Sequence, residues 1–261
     1  MKRFLEVADI PQDAVLLDTR AKSAYDAGHI AGSRHAEFTQ KFLIRTPAQL
    51  QAFNNAVQTL ARAAGLQKGQ RVVVYDAGRD SKATRLAWAL EYAGFEVAML
   101  RDGLNGFTGA LEIAPTDFTP SDFSLESPRS KLLATADDVL NRPAQTILID
   151  ARAADEFSGE QPVAGSTKGG HIPGAIHLDW QQLATETGIA DAATLERQLS
   201  AIPKDADVIV HCQSGARSSV VYHALKSVGV QHVRNYLGSM NEWVGDDALP
   251  LEQGASPLRD D

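Results

Sequence analysis

A single cysteine, Cys212, stands in a chain of 261 residues, so an internal disulfide is excluded. One thiol kept reduced suits the cytoplasm, which is the compartment expected. No apolar run approaches the ~20 residues that span a bilayer, and no membrane partner is expected. The opening stretch "MKRFLEVADIP" lacks an unbroken apolar segment, because Glu6 and Asp9 interrupt it, so it does not read as a secretory signal. Positive charge is scarce: 25 Lys and Arg against 33 Asp and Glu leave a net charge of −8. That balance supplies no basic stripe for nucleic-acid phosphates. None of the seven histidines has the close i, i+4 partner of a helical zinc site, so no metal is expected. What remains, at 44% hydrophobic and 22% charged residues, is the composition of a globular α/β-type chain.

The chain repeats itself. "LLDTRAKSAY" (16–25) is answered by "LIDARAADEF" (148–157), and "GHIAGSRH" (28–35) by "GHIPGAIH" (170–177). "RVVVYDAG" followed by "ATRLAWALEYAG" is answered by "DVIVHCQS" followed by "SSVVYHALKSVG", and "LRDGLNGF" by "YLGSMNEW". Four blocks in one order indicate two copies of a domain. The second copy carries an extra loop, "SGEQPVAGSTKG". The expected division is residues 1–115, a linker at 116–130 rich in Pro, Ser and Asp, and residues 131–261. Within each copy, short β-branched runs alternate with helical patterns. Val220, Val221, Ala224, Leu225 and Val228 mark one helix face that stops at Gly229. Strands alternating with helices predict a parallel sheet with helices on both faces, and ligands outside the carboxyl ends of its strands.

Cys212 lies at such an end, in "HCQSGARSS". A thiol becomes a nucleophile as a thiolate, and three features here favour the anion. A helix start offers unpaired N–H groups, a loop containing Gly215 can gather backbone N–H groups into a nest, and Arg217 adds a full charge. Cys212 is therefore the candidate nucleophile and Arg217 the candidate anion holder. Gln213, Ser214, Gly215 and Ala216 form the candidate cradle, through their backbone. Ser218 is read as a helix cap that could also serve the site. In the first copy Asp76 takes the place of the cysteine, so that copy is expected to be catalytically silent. His29, His171, His35, His177 and the pairs Asp18–Arg20 and Asp150–Arg152 occur in both copies, and a structural role is expected for them. His211 points to the face opposite Cys212. Trp243, with Tyr236, is a candidate pocket wall.

"LIDAR", "GHIPGAIHLDW", "HCQSGARSS" and "YLGSMNEW" together resemble the tandem-domain rhodaneses, or sulfurtransferases, over nearly the whole chain. The resemblance implies two tandem rhodanese-like α/β domains, the first silent. It implies that Cys212 takes a sulfane sulfur from a small anionic donor, thiosulfate first and 3-mercaptopyruvate second. The resulting persulfide, cradled by residues 213–217, passes sulfur to cyanide or a thiol, a protein thiol included, with no metal or organic cofactor. Departures touch the donor. Ser214 stands where thiosulfate-specific members carry a basic residue, and Glu156 where an arginine is frequent. Gln213, Ala216 and Arg217 differ from the mercaptopyruvate-specific loop. Arg217, or Lys168 from the inserted loop, is a candidate for the missing charge, against the plain reading of Lys168 as a surface lysine. Two other readings stay open: a cysteine phosphatase or arsenate reductase, whose loop has five residues between Cys and Arg rather than four, and a non-catalytic binding module.

Overall fold

The computed structural model describes residues 1–254; the final seven residues of the second predicted domain lie outside the described residues. The chain forms two units, each around its own five-stranded parallel sheet.

The first unit comprises Met1–Gln40, Gln51–Ser130 and Ala184–Asp191. Its strands are β1 (Phe4–Leu5), β2 (Val15–Asp18), β3 (Arg34–His35), β4 (Arg71–Tyr75) and β5 (Glu96–Leu100), in the spatial order β1-β5-β4-β2-β3. Helices α1 (Lys22–Ala27), α2 (Pro47–Ala63, whose first turn belongs to the other unit) and α3 (Lys82–Tyr92) cover the sheet. The second unit comprises Lys41–Leu50, Lys131–Leu183 and, among the described residues, 192–254. Its strands β6 (Leu133–Ala134), β7 (Ile147–Asp150), β8 (Ile176–His177), β9 (Asp207–His211) and β10 (His232–Tyr236) repeat the order as β6-β10-β9-β7-β8. Its helices are α4 (Ala136–Leu140), α5 (Ala154–Ser158), α6 (Ala192–Gln198), α7 (Arg217–Ser227) and α8 (Ser239–Trp243).

The central strands show why these runs become strands. In β4 and β9, four consecutive residues are buried whichever face they point to. A parallel strand covered by helices on both sides needs such a continuous apolar run. Each is followed by a helix that glycine stops. Gly229 and Gly94 adopt φ of 94° and 101°, and the next N–H bonds back five residues, Val230 to Leu225 at 3.0 Å and Phe95 to Leu90 at 3.1 Å. That left-handed exit satisfies carbonyls the helix leaves open.

The shared residues of the repeat fasten each sheet to its flanking loops. Arg152 grips Asp150 with its fork and donates to Gly170 O at 2.8 Å; Arg20 does the same to Asp18 and Gly28 O. His171 stacks on Phe157 at 3.8 Å and His29 on Tyr25 at 3.8 Å. His177 and His35 each lie 2.8 Å from the carbonyl oxygen of the arginine in their own copy. Identical bonding in both units is what a structural role produces. Among the described residues, no helix is long and apolar enough to cross a membrane.

Candidate active site

β9 delivers the chain to Cys212 at the carboxyl end of the sheet's middle strand, and α7 begins five residues later. The thiol is buried, 1% exposed. Its sulfur accepts the backbone N–H of Gly215 at 3.2 Å, and the Ser218 hydroxyl lies 3.5 Å away. That hydroxyl is 2.8 Å from Asn235 Oδ1, so its one proton is shared between two acceptors. Backbone N–H groups of Ser214 and Ser218 also favour charge on the sulfur. Burial pushes the thiol up, but the Arg217 charge and these donors outweigh it and leave the thiol below its ordinary range. The sulfur is thus set among N–H groups at a helix start, where negative charge on it is favoured.

The ring keeps its shape because a second loop braces it. Cys212 N–H donates to Ser239 Oγ at 3.1 Å, and Met240 N–H returns a bond to Cys212 O at 3.1 Å. Asn241 N–H donates to Gln213 O at 2.9 Å, and Asn235 Nδ2 to Gly215 O at 3.2 Å. Ser239 holds φ at 52°, a left-handed conformation that is uncommon outside glycine. Its hydroxyl in turn donates to Tyr236 O at 2.6 Å.

Arg217 opens α7, and both its terminal nitrogens engage Glu156, Nη1 on Oε2 and Nη2 on Oε1 at 2.9 Å. Burial pushes the Glu156 carboxyl up, but Arg217 more than reverses this and the group sits below its usual range. His211 is fully buried, with Nε2 3.8 Å from Asp150 Oδ2. Burial, opposed by Asp150 and aided by the Arg152 charge, lowers it to about 4, so at neutral pH it is uncharged.

The rhodanese-like domain family matches residues 5–110 and again 133–246. The chain belongs to the rhodanese family. The thiosulfate sulfurtransferase of Azotobacter vinelandii is 30% identical over 256 residues, covering 92% of this chain and 91% of that protein. The 3-mercaptopyruvate sulfurtransferase of Escherichia coli K12 is 32% identical over 203 residues, 73% of this chain and 71% of the relative. A crystal structure named "Probable Thiosulfate Sulfurtransferase" superposes with a TM-score of 0.78 at 34% identity, covering 94% of this chain and 99% of that one.

Within this rhodanese the first unit has the same loop built around a carboxylate. Asp76 follows β4 as Cys212 follows β9, and it accepts N–H bonds from Gly78 at 2.8 Å and Ala83 at 3.0 Å. Leu104 N–H donates to Asp76 O, as Met240 does to Cys212 O. The nest is filled by the protein's own side chain, and burial pushes that carboxyl up to about 7.

Of the expected cradle, Gln213, Ser214, Gly215 and Ala216 form the loop between Cys212 and α7, with the Gly215 N–H on the sulfur, while Ser218, read as a helix cap, lies in the first turn of α7 with its hydroxyl 3.5 Å from the sulfur. Two others sit elsewhere. Lys168 Nζ is held by Asp247 at 2.6 Å and Val244 O at 3.0 Å. Trp243 packs in the hydrophobic core with Phe157, Tyr236 and Met240, its indole N–H on Pro250 O at 2.8 Å. Sequence reasoning overlooked Ser239 and Asn235. A signal for Ser239 existed: the first copy carries Gly103 at the matching place, with φ of 53°.

Proposed function

We propose that the chain moves a sulfane sulfur from a small anionic donor to cyanide or a thiol acceptor, through a persulfide on Cys212. The donor named most often among the relatives is thiosulfate, with 3-mercaptopyruvate second. The observation that carries this reading is the sulfur of Cys212 set among the N–H groups of its own loop beside Arg217.

The Cys212 thiolate attacks the transferable sulfur of the donor, and the leaving group takes the bonding electrons: the S–S bond breaks in thiosulfate, and in 3-mercaptopyruvate the C–S bond breaks and pyruvate departs as its enolate. With thiosulfate the leaving group is sulfite. The terminal sulfur of the persulfide then carries the negative charge, and the N–H groups of the cradle, fixed by the Ser239 and Asn235 braces, hold it without reorganisation. An acceptor attacks that sulfur and restores the thiolate. Nucleophile and electron pair both come from Cys212, so the cycle as proposed calls on no metal or organic cofactor. Gln213, Ser214 and Ala216 act through the backbone, and Arg217 supplies field at the thiolate. A lone reactive thiol suits a reducing compartment, and the cytoplasm is the location proposed.

The test is initial-rate kinetics of thiocyanate formation with donor and cyanide both varied. Parallel double-reciprocal lines, and no turnover by a folded Cys212→Ser variant, are expected. Normal turnover by that variant would remove the mechanism.

A further inference from the structure

Glu242 is 1% exposed, and its two carboxylate oxygens have different partners. Oε1 accepts the hydroxyl of Tyr236, at the end of β10, at 3.0 Å. Oε2 accepts the backbone N–H of Ile44, in the segment Lys41–Leu50 that belongs to this unit. The same segment is tied down by Arg45, which donates to Glu242 O at 3.1 Å and pairs with Asp246 at 3.0 Å. A carboxylate buried on donors such as these carries a desolvation cost that an apolar side chain of its size would not.

The first unit shows what the fold needs at this place. Its turn makes the same backbone brace: Leu104 N–H donates to Asp76 O and Asn105 N–H to Ala77 O, as Met240 does to Cys212 O and Asn241 to Gln213 O. The side chains differ. Leu100 stands where Tyr236 does, Asp102 where Gly238 does and Gly106 where Glu242 does. A Cβ on Gly238 would stand 2.4 Å from Glu242 Oε2, and one on Gly106 would stand 3.0 Å from Asp102 Cβ. Four residues apart, the two places share one space. The first copy gives it to Asp102, which accepts from the Thr187 hydroxyl at 2.8 Å, and the second gives it to Glu242. The backbone brace is common to both copies, whereas the Tyr236–Glu242–Ile44 link accompanies the cysteine.

Resting on the reading of Cys212 as the nucleophile, we propose that Glu242 is a positioning residue, which anchors the turn 238–242 to Tyr236 and Ile44 and so keeps the N–H donors of the Cys212 loop aimed at the sulfur. It acts through its neighbours. Ser239 Oγ receives the Cys212 N–H, and the Met240 and Asn241 N–H groups hold Cys212 O and Gln213 O. Donors that are fixed before charge develops hold it without reorganising. The charge of Glu242 works the other way, since a carboxylate near a thiol disfavours the thiolate. Loss of its charge alone would therefore lower the titration midpoint of Cys212, and loss of its anchoring bonds would raise it.

Those opposite signs make the test. The pH midpoint of Cys212 alkylation by iodoacetamide, and thiocyanate formation from thiosulfate and cyanide, are measured on the full chain in wild type, Glu242→Leu and Glu242→Gln. Leu removes both acceptors. Gln keeps an oxygen for the Ile44 N–H, and its NH2 donates to a Tyr236 hydroxyl turned to accept. Glu242→Leu should raise the midpoint and lower kcat by about tenfold, with KM within about twofold of wild type. Glu242→Gln should bring both back close to wild type. A merely structural role would lower the stability of Glu242→Leu and leave the midpoint and kcat of the folded variant unmoved, which overturns the inference. A lowered midpoint overturns it too, as does a Gln variant as impaired as Leu. Should Glu242→Leu not fold, Tyr236→Phe, which removes one of the two donors and keeps the ring, takes its place; its midpoint should rise, and one that stays or falls overturns the inference. Alkylation needs no sulfur donor. Failure of wild type to form thiocyanate would therefore count against the sulfurtransferase reading, while the midpoints still decide the role of Glu242.

Discussion

The backbone N–H of Gly215 donates to the sulfur of Cys212 at 3.2 Å, from a residue that holds φ at +82° with no space for a side chain. A methyl group there would stand 2.6 Å from Leu237 Cδ1 and 2.9 Å from Leu237 O. The Gly215→Ala loop must therefore shift, and the donor shifts with it. Persulfide formation should fall by about a hundredfold in the folded variant, the lower end of what removing one oxyanion donor costs. Stopped-flow loading of sulfur checks this; a wild-type rate would mean that this N–H does not hold the charge.

The thiol sits below its ordinary value of 9.0: burial alone would raise it, and Arg217 with the loop donors reverses the sign. Reactivity toward an uncharged alkylating agent therefore persists below the pH where a free cysteine loses it, and fades as pH falls through the folded value. Arg217→Ala should move that midpoint up and slow alkylation at neutral pH. A midpoint that stays put would reassign Arg217 to holding Glu156 alone.

Ser239 combines two features, an acceptor for the buried Cys212 N–H and a left-handed backbone. Ser239→Ala leaves that N–H unpaired, at a cost of about 1–3 kcal/mol in stability. Ser239→Gly loses the same acceptor but relieves the backbone, and should recover about 1 kcal/mol relative to Ala. Chemical denaturation of both variants separates the two contributions. Equal stability would mean the conformation carries no strain.

How much of this was legible in the sequence differs by feature. The fold was, because β4 and β9 had to be apolar on both faces and the repeat showed each element twice. Cys212 and its loop were also visible, since strand end, glycine and arginine coincide there. The partner of Arg217 was not, because Glu156 is 61 residues away and nothing in either stretch announces the contact. Trp243 read as a pocket wall because aromatic residues beside a site serve either purpose; only packing shows it in the core. Ser239 needed the two copies set side by side, with the serine at 52° read against Gly103 at 53°.

Asp76 makes the first unit sensitive to pH. Burial raises its carboxyl from 3.8 to about 7, so the folded chain keeps a proton that the unfolded chain loses. Its contribution to stability is whole below the unfolded value and is lost progressively as pH rises to the folded one. The stability of wild type relative to Asp76→Asn, which does not titrate, should therefore decline between those two values and level off above them. Thermal melts of the pair across that window test it; a constant difference would show that the N–H groups of Gly78 and Ala83 already keep the carboxylate ionised.

The central claim is a persulfide on Cys212, and the intact mass of the purified protein tests it most directly. After mixing with thiosulfate, and separately with 3-mercaptopyruvate, the mass is read before and after cyanide. Because the chain has one cysteine, the account predicts a gain of a single sulfur atom that cyanide removes and that Cys212→Ser never shows. No gain with any donor, or a gain retained by the serine variant, would contradict it.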